Sequence, residues 1–175
     1  MTESEDDKWP EDIFQILKDH QVRQVAYVPD AGHTLLIKMC HANTEMKTVV
    51  LTTEEEGVAM LAGAWLGGDR GALLMQSSGV GNCLNMLSLP RVCRMPLLML
   101  VTMRGEWGEF NPWQVPMGQN TQKALTLAGV ITFTVDDGRH VQDTVEAAAR
   151  MAFEGCAATA VLISQRILGA KTFGK

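Results

Sequence analysis

The sequence predicts a doubly wound α/β domain: a six-stranded, mostly parallel sheet with helices on both faces. Three observations carry that expectation. Short apolar runs alternate about six times with stretches that carry helical spacing or helix-start signals. The runs, among them TVVL, ALLMQ and LLMLVT, are continuous more than alternating, the pattern of strands covered on both sides. Most of them stop at Gly, Pro, Asp or Ser residues that cannot continue a strand.

The first helix is expected over Pro10 to Lys18, where Pro10 suits a first turn and Ile13, Phe14, Ile16 and Leu17 give an apolar stripe. A strand over Gln24–Val28 ends at Pro29-Asp30-Ala31-Gly32, and a second helix runs from Thr34 to Ala42. The strand Thr48–Leu51 leads into a helix through Leu66. Its first turn carries Glu54, Glu55 and Glu56, with Thr52 and Thr53 as candidate caps. Ala59, Ala62, Gly63 and Ala64 would let this helix pack closely before Gly67–Gly71 ends it. A buried strand over Ala72–Gln76 is followed by SSGVGN, read as a tight glycine turn into a helix from Cys83 to Ser88. After the strand Leu97–Thr102, residues 103–120 read as a long loop with Trp107 and Trp113. A helix over Thr121–Ala128, a strand over Val130–Val135, a helix over Arg139–Glu154 and a strand over Ala158–Ile163 complete the chain.

At 175 residues the chain fits one domain, 1–175, with the acidic residues 1–9 read as a flexible leader. A net charge of −5 offers no basic excess for nucleic acid or an anionic membrane. The N-terminus has no apolar signal core, and no apolar run approaches the roughly 20 residues of a membrane span. A cytoplasmic location is expected. Cys40, Cys83, Cys93 and Cys156 form no CxxC pair and read as reduced, mostly buried residues. Adjacent Cys40 and His41 point about 100° apart on a helix and make a poor metal pair.

Ligands of an open parallel sheet collect beyond the carboxyl ends of its strands, which selects Asp30 and His33, Glu54 and Glu55, Gln76 to Asn82, and Arg104 to Glu109. SSGVGN lacks the third glycine of a dinucleotide fingerprint, since Leu84 stands there, and no acid follows at the ribose distance. The phosphate-loop pattern GxxxxGK[ST] and the nucleophile elbow GxSxG are both missing. From the residues alone, Glu54 reads as a helix cap or dipole partner before it reads as a functional acid, and Asp30 and His33 as a solvated turn and helix start before a site.

The string TEEEGVAMLAGAWLGGDRGALLMQSSGVGN, Thr53–Asn82, resembles the pyrimidine-binding domain of thiamine diphosphate-dependent 2-oxo acid decarboxylases. With YVPD at Tyr27–Asp30 and RGEWGE at Arg104–Glu109, the similarity runs toward the sulfopyruvate and phosphonopyruvate decarboxylases. VPMG at Val115–Gly118 extends it toward the small subunits of two-subunit sulfopyruvate decarboxylases. The resemblance implies that Glu54, nine residues before Gly63, hydrogen-bonds a ring nitrogen of the aminopyrimidine, with Glu55 the alternative if the register slips by one. Sharing a proton there favours the tautomer that deprotonates the thiazolium carbon. Gln76, Ser77, Ser78, Gly79 and Asn82 would line the cofactor, and Asp30, His33 and Arg104 the substrate.

Arg104 would pair a sulfonate or phosphonate through its fork, or serve a structural ion pair. The family's magnesium-binding GDG motif is missing, and Gly68-Asp69-Arg70 is its nearest match. The resemblance therefore implies an α subunit whose thiamine diphosphate and Mg2+ are held by a separate diphosphate-binding β subunit, in an α2β2 or larger assembly. The expected reaction converts 3-sulfopyruvate to sulfoacetaldehyde and carbon dioxide. Alternatives are phosphonopyruvate decarboxylation, another lyase or carboligase reaction on the same cofactor, and a non-catalytic binding or regulatory module.

Overall fold

The structure, a computed structural model, describes residues 8–169. Its strands are β1 Val22–Tyr27, β2 Lys47–Val50, β3 Arg70–Gln76, β4 Leu97–Thr102, β5 Ile131–Val135 and β6 Ala158–Ile163. All pair in parallel, in the order β2-β1-β3-β4-β6-β5. The chain runs outward from β1 to β2, then crosses back to place β3 on the other side of β1. The ends of β1 and β3 therefore flank a topological switch point, where open α/β sheets bind ligands.

Helices α1 Trp9–Asp19, α2 Thr34–Ala42 and α7 Val141–Phe153 cover one face. On the other lie α3 Glu54–Leu66, α4 Ser77–Cys83, α5 Ser88–Cys93 and α6 Val115–Leu127, while the short α8 Gln165–Leu168 follows β6. The alternation of a strand divides the central residues between two cores: Ala72, Leu74, Leu98 and Leu100 join the first, and Leu73, Met75, Met99 and Val101 the second. Both sides of β3 and β4 are apolar for that reason, and both strands are buried almost throughout.

Several expectations change. SSGVGN is no turn: helix α4 starts at Ser77, directly after β3, and includes both glycines. Helix α6 begins at Val115 rather than Thr121, because Pro116 fits its first turn. The loop after β4 therefore spans 103–114 and ends in a 3-10 turn at Pro112–Gln114. Thr53 sits at the N-cap of α3 without a side-chain cap bond, and Glu56 reaches back to accept the Thr52 N–H at 3.0 Å. The close approach of α3 to the sheet uses Gly57, Ala62 and Ala64, whereas Ala59 and Gly63 are exposed. Residues 1–7 of the expected leader lie outside the described residues. Trp9, its last residue, opens α1 and is buried in the first core.

Cys40 and Cys83 are buried, and Cys93 and Cys156 are exposed, so half of the cysteine expectation changes. Cys40 faces the core while His41 hydrogen-bonds the Tyr27 hydroxyl at 2.9 Å, which points the two side chains apart. Burial pushes the Cys40 thiol up to about 12, and burial with the charges of Glu54 and Glu55 does the same for Cys83. Alkylation of the native chain at pH 8 should therefore label Cys93 and Cys156 quickly and the other two only after denaturation, as counted by mass spectrometry. Rapid labelling of Cys83 would contradict the packing of α4 against α3. Among the described residues, no helix is long and apolar enough to cross a membrane.

Candidate active site

Glu54 is the first residue of α3 and is 7% exposed, whereas Glu55 and Glu56 are exposed. Successive helical residues turn by about 100°, so only one of three adjacent acids can face inward. Its Oε2 accepts a hydrogen bond from the Asn82 side-chain amide at 2.8 Å. Gly79, one turn earlier on α4, lies so close that a Cβ there would stand 2.2 Å from both Cδ and Oε1 of Glu54. Gly79 is helical, without a left-handed φ, so proximity to Glu54 rather than a turn requires glycine. Oε1 accepts no hydrogen bond from the described residues.

Asp30, in the turn after β1, closes the switch point. Its Oδ1 accepts from the Gln76 amide at 3.0 Å, and its Oδ2 from the Thr102 hydroxyl at 2.6 Å and the Gly32 N–H at 2.9 Å. Burial works to raise the Asp30 carboxyl, but these donors and nearby His33 outweigh it and hold it below the usual carboxylate range. Gln76 spends its other end on the Ser78 hydroxyl at 2.9 Å. The buried Ser77 hydroxyl accepts the Arg104 N–H at 3.0 Å and donates to the Arg104 carbonyl at 3.3 Å, tying the start of α4 to the loop after β4. Gly118 of α6 closes on the same loop, where a Cβ would stand 2.0 Å from the Arg104 carbonyl oxygen.

His33 does not join this surface. It is 1% exposed, its Nε2 donates to the Leu100 carbonyl at 3.0 Å, and burial pushes its pKa down against the opposing influence of Asp30. The imidazole anchors the turn from beneath, to the Leu100 carbonyl of β4. The chain from Asp30 through Thr34 folds back as a 3-10 turn, and that carries its side chain inward.

Arg104 forms a two-pronged pair with Glu109, Nε to Oε2 at 2.6 Å and Nη2 to Oε1 at 2.7 Å. Glu109 also accepts from the Gly105 and Asn111 N–H groups and from the Gln165 amide at 3.0 Å. The Arg104 guanidinium chiefly, helped by these donors against burial, holds the Glu109 carboxyl down at about 2. The Gln165 oxygen accepts the N–H groups of Glu106 and Trp107, and Glu106 accepts the Ser164 hydroxyl and the Gln165 N–H, both at 2.7 Å. This brace fastens the loop after β4 to the end of β6. Nothing local in the sequence marks Gln165 or Ser164 for it.

A cavity of about 80 Å³ opens between the turn and the loop, lined by Asp30, Ala31, Gly32, Thr102, Arg104, Leu168 and Gly169. His33 and Glu54 do not line it. The arrangement thus holds one buried carboxylate with an oxygen unbonded among the described residues, and a separate small cavity rimmed by a carboxylate and a guanidinium.

Residues 8–124 match the family described as thiamine pyrophosphate enzyme, N-terminal TPP binding domain. The alpha subunit of sulfopyruvate decarboxylase from Methanococcus maripaludis is 35% identical over 125 residues, 71% of this chain and 75% of that subunit. Its counterpart from Methanocaldococcus jannaschii is 34% identical over 69% of this chain and 72% of that subunit. Phosphonopyruvate decarboxylase from Streptomyces viridochromogenes is 36% identical over 74% of this chain, which spans only 33% of that longer protein. The fold is shared with 2-oxoglutarate:ferredoxin oxidoreductase from Magnetococcus marinus, at a TM-score of 0.73 and 15% identity, over 91% of this chain and 29% of that one.

Proposed function

The chain belongs to the thiamine pyrophosphate enzyme N-terminal domain family, together with the sulfopyruvate decarboxylase alpha subunits, and from that premise we propose that it supplies the pyrimidine-side half of a decarboxylase site for 3-sulfopyruvate. The observation that carries this reading is Glu54: a buried carboxylate with one oxygen tied to Asn82 and the other unbonded among the described residues. That donor set fits a heteroaromatic ring nitrogen, to which a carboxyl can hold or yield a proton. When bound, thiamine diphosphate supplies a nucleophilic thiazolium carbon and an electron sink for the pair released with carbon dioxide.

The chain's own residues then divide the work. Glu54 would hold or yield a proton at Oε1. Asp30, kept ionised by Thr102, Gln76 and Gly32, orders the polar turn at the switch point. Arg104 lines a cavity with Asp30 and Thr102, and its Nη1 is unbonded among the described residues, so it can meet the anionic tail of the substrate while Glu109 fixes its plane. A separate β subunit would bring the diphosphate of the cofactor and its Mg2+, in an α2β2 or larger assembly. An acidic chain with four unpaired cysteines suits the cytoplasm.

The test is purification with the partner subunit and thiamine diphosphate, followed by a screen of 2-oxo acids for carbon dioxide release. 3-Sulfopyruvate should give sulfoacetaldehyde, with pyruvate at least about 100-fold lower in kcat/KM, because the unfilled anion site penalises the shorter acid. Preference for 3-phosphonopyruvate would move the assignment to the other relatives. Release from none of the acids by a cofactor-loaded complex would leave a non-catalytic module.

A further inference from the structure

Positions 79 and 82 lie three apart on α4, so they share a face, and that face is turned to the first residue of α3. Each acts on a different part of the Glu54 carboxyl. Asn82 must direct its amide nitrogen at Oε2, since a carboxylate only accepts, and a donor on Oε2 disfavours a proton there. Gly79 leaves open the space that Cδ and Oε1 occupy, 2.2 Å from where a side chain would begin, a separation that no packed carbon tolerates. One residue therefore chooses the oxygen, and the other lets the group lie where it does.

We infer that Gly79 and Asn82 are positioning residues that hold the Glu54 carboxylate in a single orientation, with Oε2 tied and Oε1 presented to the ring nitrogen of the cofactor's aminopyrimidine. This rests on the thiamine diphosphate reading above. It assigns them a role distinct from the cofactor contact that the resemblance implies. They act through Glu54, so their effects must vanish when its carboxylate is gone.

That dependence is the experiment, a pair of double-mutant cycles with two readouts. In the free chain, Gly79→Ala should raise the unfolding equilibrium constant about 30-fold while Glu54 is present, and less than about threefold in a Glu54→Ala background. In the cofactor-loaded complex without substrate, exchange of the thiazolium C–H with deuterium oxide, followed by NMR, should slow about 100-fold with Gly79→Ala and about 10-fold with Asn82→Ala. Both losses should shrink below about threefold when Glu54 is Ala. If Gly79→Ala does not fold, recovery of folding by the added Glu54→Ala supports the contact. Asn82 is exposed, so Asn82→Ala tests the same carboxylate without repacking.

Equal losses in both backgrounds would make the two residues ordinary parts of α4 and overturn the inference. Wild-type exchange in Asn82→Ala and Gly79→Ala, with exchange abolished in Glu54→Gln, would do the same while sparing the function. Wild-type exchange in Glu54→Gln would instead remove the thiamine diphosphate reading of Glu54, and the positioning role with it.

Discussion

Glu54→Gln in the reconstituted complex should lower kcat for 3-sulfopyruvate by about 10³-fold, while Glu55→Gln stays within about threefold of wild type. The two residues are neighbours with the same chemistry, and they differ in their surroundings. Glu54 is enclosed by Gly79 and Asn82, and Glu55 stands in solvent. Glutamine keeps the volume and can still accept from Asn82, but its other end becomes an amide that offers hydrogens and cannot exchange one. Cofactor binding should therefore weaken by no more than about 10-fold while turnover collapses, a split between Kd and kcat that a packing defect would not produce. Rates measured at saturating cofactor check it. Activity retained in Glu54→Gln and lost in Glu55→Gln would mean that the carboxylate facing α4 is not the one that does the chemistry.

Glu109→Gln should destabilise the chain by about 3 kcal/mol, because it leaves the Arg104 guanidinium without its counter-charge among buried groups. For a chain of this length the thermal midpoint would fall by about 6–12 °C. The pair's net contribution is smaller than that figure, since desolvation offsets much of the attraction; the cost is that of breaking it. Acid should act in the same direction. The Glu109 carboxyl is held at about 2 against an ordinary 4.5, so its contribution is complete above pH 4.5 and is lost as pH falls toward 2. The gap between the urea midpoints of wild type and Glu109→Gln should shrink to about half or less between pH 7 and pH 3. A gap between them that is the same at both pH values would show that the charge on Glu109 does not brace the loop.

The two predictions differ in how far the sequence anticipates them. Glu54 lies at a strand-to-helix junction that the pattern TVVLTTEEEGVAM makes legible, and its role follows from resemblance. Its distinction from Glu55 came from counting residues, and now rests on burial. The Arg104–Glu109 pair was one of two readings open for Arg104. Its further partner Gln165, 56 residues from Glu109, carries no local sign at all. The misread segments have a common cause. In the sequence Ser77–Asn82 reads as a turn that only glycine tolerates, but Gly79 is there to admit a carboxylate from another helix. Residues 115–120, with their Pro and Gly, read as loop in the sequence, whereas Pro116 lies in the first turn of α6 and Gly118 lets it touch the Arg104 carbonyl.

By itself the sequence determined the fold class, the strand positions to within about two residues, and the family, because apolar periodicity, turn residues and a long ordered motif are properties of neighbouring residues. Only the tertiary structure decided which of three adjacent acids is enclosed, that His33 turns into the core, and that Asn82 meets Glu54 across 28 residues of chain. Those choices depend on which strand lies beside which. The order β2-β1-β3-β4-β6-β5 brings the ends of β1, β3 and β4 together, and distances set by sheet order leave no mark on the spacing of residues along the chain.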